Sequence, residues 1–230
     1  MDFIHWIANI PALVSDNCSL LLSGFWLTCK ITLTAIIVGI IWGTALALMR
    51  LSNNKLLNQF AKLYVNLFRS IPLLLVLTWF YLAFPRLIDY IFNLPPDTDI
   101  RIASAMIAFA LFESAYYSEI IRAGINAVNK GQYHASFALG MTRRQAMQYI
   151  ILPQAFKAMR PLLLTQAIIL FQDTSLVYTM SLIDLFGAGM DQIGKSYGGT
   201  ARYSMLIFVA FIYFIISFIA SRLVNYFKKG

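Results

Sequence analysis

The sequence predicts an all-α polytopic membrane protein with five transmembrane helices. Three observations carry this. Of the 230 residues, 60% are hydrophobic and only 12% are charged, against roughly 25% charged in soluble domains. The apolar residues gather in stretches long enough to cross a bilayer, which takes about 20 residues each. The basic residues fall between those stretches and sort by side, as orientation signals do.

The spans are placed at 20–48, 60–84, 101–123, 154–174 and 204–226. The chain, 1–230, then reads as a single transmembrane domain with no room for a large soluble one. Residues 1–19 form an outer interfacial segment carrying Trp6; it lacks the basic start of a secretory signal. Of 18 Lys and Arg, 13 lie on one side of the spans: Arg50, Lys55, Lys62 and Arg69, then Arg122 through Arg160, then Arg222, Lys228 and Lys229. The positive-inside rule assigns that side to the cytoplasm, so the N-terminus is outside and the C-terminus inside. The same sorting argues against nucleic acid as the reason for the net charge of +8. Cys18 and Cys29 make no disulfide framework. His5 and His134 fall on opposite sides, so no metal site is expected.

The segment 131–153, GQYHASFALGMTRRQAMQYIILP, lies on the basic side between the third and fourth spans. Its spacing predicts two helical pieces hinged at Gly140, a residue that tolerates the left-handed backbone of a helix stop. Thr142 and Gln145 have the spacing of a capping box that starts the second piece. Ala146, Met147, Ile150 and Ile151 line one face of it, and Pro153 closes the segment or opens the next helix.

This segment resembles the cytoplasmic EAA loop of the permease subunits of ABC importers, written E-A-A-x(3)-G-x(9)-I-x-L-P. Gly140 is followed by nine residues and then Ile150, Ile151, Leu152 and Pro153, which fits the second half fully. In the first half His134 stands in place of the glutamate, Ala135 matches, and Ser136 replaces the second alanine. The strings FRSIPLL (68–74), AYYSEIIRAG (115–124) and FQDTSL (171–176) resemble further segments of polar amino acid permeases, nearest the membrane subunit of glutamate/aspartate uptake systems.

The resemblance implies a type I ABC importer permease fold with a cytoplasmic coupling helix, in a bacterial inner membrane. It implies a homologous second permease or a homodimer, a cytoplasmic ABC ATPase dimer and a periplasmic amino-acid-binding protein. This chain would bind no cofactor itself; ATP and Mg would sit on the partner ATPase. Tyr133, His134, Ala135, Leu139, Gly140, Met141 and Thr142 are expected at the ATPase contact, with Arg143 and Arg144 pairing acidic groups on it. Glutamine or a basic amino acid is the alternative substrate. An ion-coupled secondary transporter is the alternative of another class, disfavoured by the lack of a repeat.

Charged residues within spans are costly and are usually paired or line a path. Glu113 carries Tyr116 and Tyr117 three and four residues on, a polar stripe on the third span. Gln172, Asp173 and Thr174 form a polar patch near the outer end of the fourth. Lys30 is the cation available to an acidic substrate. The expected pathway set is thus Lys30, Glu113, Tyr117, Gln172, Asp173 and Thr174; interhelical hydrogen bonds in a bundle would explain the same residues. Glu119 and Arg122 read as an ordinary i, i+3 ion pair.

Gly189 to Ser196 matches the P-loop pattern G-x-x-x-x-G-K-[ST] letter for letter. That chemistry needs a strand before it and a helix after it. The turn-like Tyr197-Gly198-Gly199-Thr200 follows instead, so a flexible outer loop is expected rather than a nucleotide site.

Overall fold

The structure is a computed structural model that describes residues 2–93 and 98–228. Lys229, one of the 13 basic residues sorted to one side, lies outside the described residues. All described elements are helical.

Helix α1 (Asp2–Asp16) is followed by α2 (Cys18–Arg50), 33 residues long. Next come α3 (Lys55–Ser70), α4 (Leu73–Leu82) and α5 (Phe84–Phe92). Helix α6 (Arg101–Ala127) leads to the short α7 (Lys130–Ala138). Helix α8 (Arg143–Met180) runs on through a π turn at Ala146–Ile151 and ends in a tight 3₁₀ stretch at Thr174–Met180. A helical run, α9 (185–196), precedes α10 (Ala201–Lys228).

Among the described residues, four stretches are long and apolar enough to cross a membrane: Cys18–Arg50, Leu73–Phe92, Arg143–Met180 and Ala201–Val224. Helix α6 has the length, 27 residues or about 40 Å at 1.5 Å per residue. It is less apolar because it buries Glu113, Ser114 and Ser118 inside the molecule. The expected span 60–84 is not one helix. Helix α3 stops at Ser70, Ile71 is extended (φ −108°, ψ 134°), and Pro72 caps α4. A residue before proline is pushed out of the helical region, which is the reason for the break.

The core is the α2–α6 pair, which lie against each other over most of their length. Small residues permit this. A β-carbon at Gly39 would stand 3.0 Å from the Tyr117 ring, and one at Gly43 would stand 2.9 Å from the Ser114 carbonyl oxygen. Gly39-Ile-Ile-Trp-Gly43 is a G-x-x-x-G spacing, the signature of close helix approach in lipid. Around this seam Ile31, Leu77, Phe109 and Leu170 form one apolar cluster, and Ile121, Ile125, Ile151 and Met159 another.

Helix α1 is not only interfacial. It packs on α10, where Trp6 stacks on Tyr203 with ring centroids 4.7 Å apart. The P-loop-like segment is not a flexible loop. It is helical, with Leu185–Gly187 rather than a strand ahead of it, and it buries Ala188, Gly189, Ile193 and Gly194 against α10. A β-carbon at Gly189 would strike Val209 at 2.5 Å, so that glycine serves packing. Asp184 caps this run, accepting from the Gly187 N–H at 2.8 Å and, on its other oxygen, from the Tyr213 hydroxyl at 3.3 Å.

Replacing Gly43 with leucine forces α2 off the α6 backbone. The expected cost is about 1–3 kcal/mol from overpacking, read as a lower thermal midpoint of the detergent-solubilised protein. An unchanged midpoint would show that the two helices part freely at this level.

Candidate functional site: a double-capped elbow and a buried polar seam

The elbow is built from backbone bonds that its sequence dictates. Asn129 caps α7, its side chain accepting from the Gly131 N–H at 2.8 Å. At the other end Gly140 takes φ +77°, open to glycine and strained for other residues. The Met141 N–H then reaches the Ser136 carbonyl at 3.0 Å and the Gly140 N–H the Phe137 carbonyl at 3.0 Å. These are the two bonds of a Schellman stop. Two residues later Thr142 starts α8 with a complete capping box. The Gln145 N–H donates to Thr142 Oγ1 at 3.3 Å, and the Thr142 N–H donates to Gln145 Oε1 at 2.9 Å. The chain thus turns between two helices with its terminal backbone groups tied.

The outer face of the elbow is open. His134, Ala135, Gly140, Thr142, Arg143 and Arg144 are exposed, Leu139 is 78% exposed, and Met141 is half-buried. Tyr133 differs from the rest of the expected contact set: its side chain packs inward beside Ile121, Ile125 and Met159, and burial raises its phenol above the usual range. On the inner side Ala146, Met147, Ile150 and Ile151 pack on the same cluster, as their spacing predicts. Pro153 stands in the first turn of the α-helical stretch Leu152–Asp173, so it opens the regular part of α8, as its position predicts. The π turn just before it widens the helix, and α8 runs on through it. A cleft of about 920 Å³ lies between the elbow and the ends of α2 and α6, lined by Leu51, Asn53, Asn126, Tyr133, Arg143 and Arg144 among others.

The expected pathway residues do not all form one site: Glu113, Tyr117 and Asp173 are near one another, whereas Lys30 is apart. Glu113 and Tyr117 come together, fully enclosed, on the face of α6 that meets α2 and α8. Gln166 of α8 donates to Glu113 Oε2 at 3.0 Å; it was missed as a site residue, although a glutamine inside an apolar span signals such a bond. Glu113 Oε1, the Tyr117 hydroxyl and the Ser118 hydroxyl are buried with no partner among the described residues. Thr174 is also buried but bonds its own helix, donating to the Phe171 carbonyl at 2.6 Å. Asp173 is half-buried and Gln172 exposed. Lys30 stands on the exposed side of α2, its ammonium 5.7 Å from the Trp26 ring centroid, away from the Glu113 seam.

The ion pair Glu119–Arg122 is present, with bonds of 2.8 and 3.1 Å, but it is part of a larger set. Arg50 from the end of α2 also bonds Glu119, and Arg69 from α3 approaches it to 3.9 Å. Three helices therefore meet at one carboxylate. In the sequence Arg50 and Arg69 read only as orienting charges, because their partner lies 50 or more residues away.

Bundled apolar helices around a buried polar seam, with a capped polar elbow at one end, define a polytopic helical membrane protein. The chain matches the family described as binding-protein-dependent transport system inner membrane component over residues 35–230, and it belongs to that family. It is 54% identical to the glutamate/aspartate import permease protein GltK of Escherichia coli O6:H1, covering 97% of this chain and 96% of that one. It is 31% identical to the glutamate transport system permease protein GluD of Corynebacterium glutamicum, covering 91% and 76%. A crystal structure of an amino acid ABC transporter with histidines superposes with a TM-score of 0.79 at 32% identity, covering 94% and 96%.

Thr142→Ala removes one side of the capping box, worth about 1 kcal/mol. Amide hydrogen exchange at Gln145 and its neighbours is expected to rise about fivefold. Equal exchange in variant and parent would show that the cap adds no rigidity to the elbow.

Proposed function

We propose that this chain is the transmembrane subunit of an ATP-driven importer of amino acids, with glutamate and aspartate as its substrates. The observation that carries the reading is the elbow, a short helix stopped and restarted by named caps, with an open polar face. Such a piece transmits a push instead of absorbing it. In this reading the elbow faces the cytoplasm, the N-terminus lies in the periplasm, and a dimer of ABC ATPases hydrolyses ATP and docks on His134 through Arg144. Tyr133 supports that contact from behind. A homologous permease or a second copy of this chain completes the pore, and a periplasmic binding protein delivers the substrate.

The choice of acidic amino acids draws on the likeness to glutamate/aspartate and glutamate permeases across nearly the whole chain. The enclosed carboxyl of Glu113 does not argue against it, because every amino acid carries an ammonium group that a carboxylate suits. Glutamine and basic amino acids are the substrates to compete against it.

The reading is tested in vesicles holding the assembled importer. Labelled glutamate and aspartate are expected to enter in the presence of ATP, with excess arginine or glutamine competing poorly. Gly140→Trp is expected to lower uptake at least tenfold while ATP hydrolysis continues, since tryptophan resists φ +77° and crowds the docking face. Normal uptake in that variant would rule out coupling through the elbow.

A further inference from the structure

The charges around Glu119 do not balance. Arg50 holds Oε1, and Arg122 holds Oε2 through two bonds, so the carboxylate is already served. Arg69 comes only within 3.9 Å of Oε1, too far for a hydrogen bond. Its guanidinium lies over the Tyr116 ring, 5.5 Å from the centroid. No hydrogen-bond acceptor meets it among the described residues. Its side chain is 45% exposed, while that of Glu119 is 19% exposed. Three guanidinium groups therefore face one carboxylate, and the Arg69 guanidinium keeps part of its surface open.

The geometry suits an anion with a planar face. The cation–π contact with Tyr116 holds the Arg69 guanidinium beside the ring, and none of its N–H groups has a hydrogen-bond acceptor among the described residues. A guanidinium so held binds a carboxylate through two parallel bonds, which a lysine cannot do. Tyr116 also stands three residues along α6 from Glu113, about one helical turn. An amino acid whose carboxylate rested on Arg69 would lie near the level of the buried polar seam.

We propose that Arg69, braced by Tyr116 and supported by the field of Arg50 and Arg122, is a station for a carboxylate of the amino acid in transit. The proposal rests on the importer reading above. An acidic amino acid brings two carboxylates to an excess of two positive charges, so the site favours that class. Binding is reversible and involves no covalent step. A lipid phosphate shares the chemistry, and the experiment separates the two sources.

The test uses the permease assembled with its ATPase and without any binding protein, in nanodiscs of phosphatidylcholine alone and again with phosphatidylglycerol. Binding of L-glutamate is followed by saturation-transfer NMR, which detects weak ligands. The parent is expected to bind glutamate in both lipids. Arg69→Gln is expected to weaken binding at least about tenfold, with Arg69→Lys falling between. Glutamate with both carboxylates converted to amides is expected to bind the unmutated protein at least about tenfold more weakly as well. That arm requires no variant to fold. Equal binding by parent and Arg69→Gln, or no binding by the parent, overturns the proposal. Loss of the glutamate signal on adding phosphatidylglycerol, with that lipid retained by the parent and not by Arg69→Gln, assigns the site to a headgroup and also overturns it. Glutamate uptake by the parent assembly tests the importer reading separately, so the two can fail independently.

Discussion

The structure depends on how closely α2 and α6 approach. Lipid offers no hydrogen bonds, so polar side chains within the bilayer must face other helices. Helix α6 carries Glu113, Ser114, Tyr117, Ser118 and Glu119 in two turns. It can do so because α2 presents Gly39 and Gly43 there, letting the backbones nearly touch. Tyr64 of α3 closes another side, donating to the Leu111 carbonyl at 2.9 Å and meeting the Ser114 hydroxyl at the same distance. Gln166 of α8 closes a third. The polar seam is what holds four helices in one register.

That seam is continuous with the elbow. The apolar cluster holding Tyr117, Ile121 and Ile125 also takes in Tyr133 of α7 and Ile151 and Met159 of α8. At Gly124 a β-carbon would press on Met159 from 2.8 Å, so α6 and α8 also meet closely just above the turn. A force on the exposed side of α7 therefore reaches the membrane helices through packed side chains and through α8, which continues from Arg143 to Met180. The ion cluster at Glu119 ties α2, α3 and α6 near the same end. The arrangement joins the exposed face of the elbow to the polar interior of the bundle.

Much of this was legible in the sequence because it is local. Gly140 as a stop and Thr142 with Gln145 as a restart lie within six residues and need only backbone geometry. The apolar spans follow from composition. What could not be read depends on partners distant in the chain. Arg50 and Glu119 are 69 residues apart, Glu113 and Gln166 are 53 apart, and neither pair has a spacing rule. The break at Pro72 was readable from the proline itself, but the strong hydropathy of residues 73–82 masked it. Lys30 is expected on the pathway because it is a cation within an apolar span; which side of α2 faces inward is set by glycines further along that helix. The P-loop lettering at Gly189 shows the converse, a motif whose glycines answer to Val209 and Arg202 rather than to a phosphate.

The central claim is that the exposed side of the elbow is where an ATPase pushes. Its most direct measurement is a cross-link. With Cys18 and Cys29 replaced by serine, Leu139→Cys offers a single thiol on the outermost point of the elbow, where the native side chain is 78% exposed. In the assembled importer this thiol is expected to cross-link to the ATPase, with a yield that changes when ATP binds. A thiol in place of Tyr203, at the opposite end of the bundle, is expected not to react with it. Cross-linking at 203 and none at 139 would contradict the account.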